Sequence, residues 1–135
     1  MHLCHAPLLF VTLCSLALGA FSAPSPTIAA NATLQKRVTH TGRATWFNLD
    51  GGVTACGDMD NNGEFDVAVS SAKFNSGNCN QFVQITSNGK TAFGVTRDIC
   101  PGCAINDLDL SPALFEQFAS LEAGVIPVTW SFLAK

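Results

Sequence analysis

Between Val95 and Pro112 the chain gathers three carboxylates and two cysteines. These are Asp98, the corner Cys100-Pro101-Gly102-Cys103, and the alternating pair Asp107 and Asp109 just before Ser111-Pro112. Paired carboxyl groups are the equipment of general acid–base hydrolysis, one donating a proton to a leaving group and the other activating water. If residues 107 to 109 are extended, Asp107 and Asp109 share one face, and their repulsion would raise the pKa of one of them. Asp98, two residues before Cys100, also suits a structural task, accepting backbone N–H groups at the corner. A C-x-x-C unit can be a redox centre, half a zinc site or a disulfide. No helical pattern follows Cys103 as a thioredoxin-like centre requires, and His40 is the only histidine after residue 37, which favours structural disulfides.

A second constellation is Asp58-x-Asp60-x-Asn62-Gly63-Glu64-x-Asp66, which copies the first half of an EF-hand loop, with oxygens at alternate positions and glycine at the sharp turn. The twelfth position, where that loop needs glutamate, is Val69, and no amphipathic helix flanks the segment. It is expected to be an acidic surface loop, and neither a metal nor a cofactor is expected.

The elements that must position these groups follow from the rest of the chain. Residues 1–22 carry an apolar run, Leu8 to Phe21, of signal-peptide length and too short to span a bilayer, so the protein is expected to be secreted. Residues 23–37 read as a spacer or pro-segment. They hold the sequon Asn31-Ala32-Thr33 and end in Lys36-Arg37, which resembles a kexin-type processing site that would start the mature chain at Val38. Residues 38–135 suffice for one small domain. All ten acidic residues fall there against five basic ones, a net charge of −5, which argues against nucleic acid and anionic membrane partners. The four cysteines of this part allow three pairings. The local ring that Cys100 and Cys103 can close favours that pair, leaving Cys56 with Cys79.

Gly42–Asn48 reads as a first strand and Asp66–Ser70 as a second. Gln81–Ser87 and Lys90–Arg97 flank Asn88-Gly89, a hairpin with a type I′ turn. Ser111 as N-cap and Pro112 at the first helical position start a helix through about Ser120, and Val125–Leu133 is the last strand, with Pro127 suggesting a strand start or edge. Five or six short strands with one intervening helix and no βα repeat predict an all-β fold, a small closed barrel.

Six ordered motifs now stand out: Gly42-x-Ala44-Thr45-Trp46-Phe47, Ala55-Cys56-Gly57, Asn78-Cys79, Asp98-x-Cys100-Pro101-Gly102-Cys103, Asp107-x-Asp109-Leu110-Ser111-Pro112-Ala113 and Ile126-Pro127-Val128-x-Trp130. Together they resemble the RlpA-like double-psi β-barrel proteins, in particular the short secreted fungal expansin-like type, the loosenins. The resemblance implies a six-stranded double-psi β-barrel with one or two short helices, stapled by Cys56–Cys79 and Cys100–Cys103. It also implies an open groove that holds polysaccharide of the cellulose, chitin or peptidoglycan type. Full-length expansins have a second, carbohydrate-binding domain, which has no counterpart in residues 38–135.

Asp109 matches the aspartate of the family's His-x-Asp motif, the general acid of the related inverting endoglucanases, while Asp107 occupies the His position. The endoglucanase base follows two aromatics on the first strand. Here Trp46-Phe47 is followed by Asn48, which cannot take a proton at neutral pH. The resemblance further implies groove positions for Thr45, for Asp98 as a stand-in second carboxylate, and for Trp46 as a sugar-stacking platform, with Trp130 in the core. The absence of tyrosine departs from expansin grooves. The expected function is a secreted, monomeric expansin-like protein that loosens cell-wall polysaccharide without hydrolysis. The alternatives are a glycoside-cleaving enzyme with Asp109 as acid, and a protein-binding effector or protease inhibitor.

Overall fold

The computed structural model describes residues 37–135; the expected signal peptide, the spacer with Asn31, and Lys36 lie outside them. Within the described residues there are six strands: β1 (His40–Trp46), β2 (Asp66–Ser70), β3 (Phe82–Ser87), β4 (Lys90–Cys100), β5 (Leu108–Leu110) and β6 (Ile126–Phe132). They close into one barrel in the order β1-β5-β2-β4-β3-β6. The ladder is mixed: β1 runs parallel to β5, and β2 parallel to β4, while the remaining four pairings are antiparallel. Closure leaves no long strand edge unpaired, which a domain this small could not otherwise cover.

Alternation along the strands fills the barrel. Ala44, Val67, Val69, Val83, Ile85, Leu108, Leu110, Val128 and Trp130 all point inward and are buried. The Trp130 indole N–H donates to Asn106 O at 2.8 Å, so the largest core side chain keeps its polar atom paired. Asn88 and Gly89 have φ of 50° and 74°, the two left-handed positions of the predicted hairpin turn. Pro127 sits where β6 pairs with β1 only, since β3 joins β6 from Thr129 onward, so the missing N–H falls at a local edge.

The helical region differs from expectation. Only Pro112–Phe115 (α1) is helical, and the N–H groups of Gln117 and Phe118 fall back to the carbonyls three residues earlier, tightening the chain before it can extend to Ser120. Ser111 does not cap α1 with its side chain. Its hydroxyl instead accepts from Asp66 N and donates to Glu64 O, tying the start of β2 to the end of β5. The first strand begins and ends two residues earlier than predicted, because β6 pairs with β1 from His40 and the chain turns away after Trp46. Among the described residues no helix is long and apolar enough to cross a membrane.

Both disulfides are present as expected, Cys56–Cys79 and Cys100–Cys103. The first clamps the long 47–65 connection to the chain just before β3, closing a loop for which chain-entropy arguments give a stabilisation of about 3 kcal/mol.

Gly42 brings β1 against the turn before β5. A Cβ added there would meet Asn106 O at 2.2 Å and Asp107 Oδ1 at 2.9 Å, both held by the barrel. Gly42→Ala is therefore expected to lower stability by about 1–3 kcal/mol, the usual cost of overpacking, and to disturb the Asp107 side of the site. Urea unfolding monitored by Trp130 fluorescence measures this; a midpoint equal to wild type would contradict the close approach.

Candidate functional site

Four residues lie in one row across four neighbouring strands. Thr45 of β1 pairs with Asp109 of β5, Asp109 with Ala68 of β2, and Ala68 with Asp98 of β4. Side chains opposite one another across paired strands share a face. Ala44, Leu108 and Val69, one step along, face the core, so this row faces outward. The sequence-predicted residues Thr45, Asp98 and Asp109 are thereby brought onto one open surface.

Asp98 reaches that surface through a β-bulge. Val67 pairs with Thr96, but the next residue, Ala68, pairs with Asp98, so Arg97 has no partner in β2. Without the extra residue, Arg97 would oppose Ala68 and Asp98 would point into the core.

The three aspartates occupy different environments. Asp107 is held by Arg43, whose backbone N–H donates to Oδ1 at 2.8 Å and whose Nη2 donates to Oδ2 at 3.0 Å. Asp98 Oδ1 accepts the N–H groups of Ala55 and Ile99, both at 2.9 Å, so the corner role and the groove position coincide in one side chain. Asp109 Oδ1 accepts the Thr45 hydroxyl at 2.7 Å. Burial pushes the Asp109 carboxyl above the usual carboxylate range, the Thr45 and Leu110 hydrogen bonds pull it partly back, and the Asp98 charge adds to the rise. The expected repulsion from Asp107 is not the cause. Asp107 precedes β5, and its carboxylate is paired with the Arg43 guanidinium.

A cavity of about 180 Å³ opens beside the row, between Arg43, Thr45 and Asp107 on one side and Cys100, Gly102 and Cys103 on the other. The short disulfide thus forms one wall, and Arg43, which the sequence reading did not single out, forms the other. Its only sequence cue is a position two residues before Thr45, on the same strand face.

Trp46 and Asn48 sit apart from the row. Trp46 shares the parity of Ala44, lies 38% exposed at the end of the barrel, and donates its indole N–H to Leu121 O at 3.0 Å, so it is not on the face of Thr45. Asn48 Oδ1 accepts from Asn62 Nδ2 and from Asp50 N, both at 3.0 Å, which commits its carboxamide to stitching two loops together. The 58–66 segment is more than a solvated acidic loop. Asp66 is 3% exposed and Asp60 only 9%, and Arg97 lies against both and against Asp58.

A family model described as "Lytic transglycolase", that of the RlpA-like double-psi β-barrel, matches residues 39–130. The chain is 34% identical over 102 residues to a papain inhibitor of Streptomyces mobaraensis, an alignment covering 69% of this chain and 71% of that protein. It is 38% identical over 81 residues to an Asp f 7 allergen homologue of Arthroderma benhamiae, covering 56% of this chain but only 27% of the relative. Among solved structures, a Clavibacter michiganensis expansin in complex with cellohexaose is similar, with 29% identity and a TM-score of 0.64, covering 72% of this chain and 51% of the expansin.

Asp109 should titrate above the ordinary aspartate midpoint of about 3.9, and Thr45→Val should raise it further by removing a bond to the charged form. Because the folded state holds the proton more tightly than the unfolded one, the stability linked to Asp109 is complete in acid and is lost as pH rises through its folded pKa. Asp109→Asn should flatten that part of the profile. Carboxyl ¹³C titration and urea midpoints against pH test both; a Thr45→Val midpoint at or below wild type would refute the hydrogen-bond role.

Proposed function

The chain belongs to the RlpA-like double-psi β-barrel family, and on that premise we propose that it is a secreted, monomeric, expansin-like protein. In this reading it binds cell-wall polysaccharide along the β1/β5/β2/β4 face and loosens it without hydrolysis. The observation that carries this is a groove acid without a free base. Asp109 is raised in pKa and paired with Thr45, so it suits proton donation or hydrogen bonding to a sugar hydroxyl. Of the candidate bases, Asp98 is fixed through Oδ1 by two backbone N–H groups, Asp107 is paired with Arg43, and Asn48 is an amide. An inverting hydrolase needs a carboxylate about 6.5–9.5 Å from the acid, free to activate water.

The similar expansin is in complex with cellohexaose, which supports an oligosaccharide ligand in this reading. A second reading, a protease inhibitor, is favoured by the papain inhibitor relative, whose match spans most of its length. For that role the exposed Phe82 and Phe93 on the outer face of the β3–β4 hairpin offer apolar contact area away from the groove.

Pull-down on insoluble cellulose, chitin and peptidoglycan, run beside a papain inhibition assay, separates the readings. Binding to at least one polymer is expected, weakened roughly tenfold, about 1.4 kcal/mol, in Asp109→Ala, with no release of reducing ends. No binding to any polymer together with papain inhibition would favour the second reading. Reducing-end release abolished by Asp109→Asn would make the protein a glycoside-cleaving enzyme.

A further inference from the structure

On the far side of the bulge from the groove, a second group of carboxylates lies under the loop that leads into β2. Asp60, Glu64 and Asp66 each offer an oxygen, and the three oxygens lie within 4.8 Å of one another. We propose that Asp60, Glu64 and Asp66 form a binding site for a hard divalent cation of the Ca²⁺ class, which fastens the 58–66 loop onto the start of β2.

Clustered acidic groups on a surface need no ion, but two of these three, Asp60 and Asp66, are not on the surface. The side chains of Asp60 and Asp66 are 8% and 4% exposed, and the Oδ2 atom of each is buried with no hydrogen-bond partner among the described residues. A buried carboxylate oxygen left without a partner is costly, and a cation is one of the few occupants that removes the cost. Glu64 closes the group from the solvent side. Its Oε2 accepts Asn61 N at 2.8 Å, which fixes the side chain, and among the described residues no hydrogen bond engages Oε1.

Arg97 fills this role in part for Asp60, whose Oδ2 is ion-paired with its Nε, but at Asp66 it faces Oδ1 and leaves Oδ2 without a partner among the described residues. Its Nη1 is engaged by Asp58 and Asn80, and its Nε stands 3.4 Å from Asp60 and 3.8 Å from Asp66 without a hydrogen bond to either. Three carboxylates, Asp58, Asp60 and Asp66, therefore share one guanidinium, with Glu64 beside them. Burial together with the charges of Asp60 and Glu64 pushes the Asp66 carboxyl up to about 7, as expected where negative charge is incompletely offset.

The donor set selects the ion class. Three carboxylates with no histidine or cysteine suit a hard cation rather than zinc or copper. Three converging carboxylates suit the irregular, protein-rich oxygen shell that Ca²⁺ accepts, whereas Mg²⁺ prefers regular octahedral geometry with one or two carboxylates and more of its own waters. The ligands are not those of an EF-hand. Asp58, the first position of the half-motif, is held by Arg97, and Asn62, the fifth, is spent on Asn48, Asp50 and Leu49. The site instead joins the third, seventh and ninth positions of that motif, and the ninth belongs to a barrel strand.

Calorimetric titration of the chelator-stripped protein with CaCl₂ at neutral pH, and melting in EDTA against millimolar Ca²⁺, test the proposal. Expected are one saturable site per chain, a melting temperature raised by Ca²⁺, and an affinity roughly tenfold or more weaker in Glu64→Gln. Glu64 is exposed, so this variant should fold, and its circular dichroism checks that. An absence of saturable binding with equal melting temperatures in EDTA and Ca²⁺ would show that a shared proton satisfies Asp60 and Asp66, and would overturn the site. Wild-type affinity in Glu64→Gln would overturn it too.

Discussion

A single extra residue in β4 decides what the outer surface of this barrel can do. Side chains along a strand alternate between faces, so an offset of one residue exchanges core and solvent for everything beyond it. Before the offset Thr96 is buried opposite Val67, and after it the half-buried Ile99 stands opposite the buried Val69. Between them, Arg97 and Asp98 are both released from the core. Arg97 turns to Asp58, Asp60 and Asp66, and Asp98 joins Thr45 and Asp109. The same bulge anchors the long loop, since Arg97 O accepts Cys56 N and Asp98 Oδ1 accepts Ala55 N. With the Cys56–Cys79 link added, the loop has three attachments within two residues, which places its acidic end over the start of β2.

The fold was legible where its signals are local. Alternation over residues 66–70 and 81–87 and the Asn88-Gly89 turn gave the strands and the hairpin, because period and turn chemistry are properties of a few adjacent residues. β5 was not legible as a strand from its own residues. Leu108-Asp109-Leu110 is only three residues long and owes its extended form to parallel pairing with β1 and antiparallel pairing with β2. The helix was overextended at its C-terminal end, where the N–H groups of Gln117 and Phe118 turn to carbonyls three residues earlier, and the Ser111 hydroxyl expected as its cap is engaged by Asp66 and Glu64, 45 and 47 residues away.

In the site, residue types were legible and partners were not. Asp98, Asp107 and Asp109 stood out by spacing, yet what separates them is Ala55, Arg43 and Thr45, each 43 or 64 residues distant. The Arg43–Asp107 pair adds little stability by itself, since Arg43 is 69% exposed and such pairs are worth about 0–1 kcal/mol. Its effect is on Asp109. With Asp107 so paired, burial is the dominant influence on Asp109, offset only in part by its Thr45 and Leu110 hydrogen bonds.

That distinction bears on how an uncharged polymer would be held. An ionised aspartate can only accept hydrogen bonds, whereas a protonated one donates as well, and a sugar hydroxyl offers both functions. A carboxyl whose pKa burial raises, and which already accepts from Thr45, offers a sugar hydroxyl an acceptor in its ionised form and a donor as well in its protonated form. Turning the same acid to hydrolysis requires a water poised by a second, free carboxylate, and the bulge that brings Asp98 to the surface also ties Asp98 to Ala55 and Ile99. The backbone geometry that assembles the row therefore restrains the residue that would have to act as its base, which is why binding, rather than cleavage, is the reading that this arrangement of hydrogen bonds supports best.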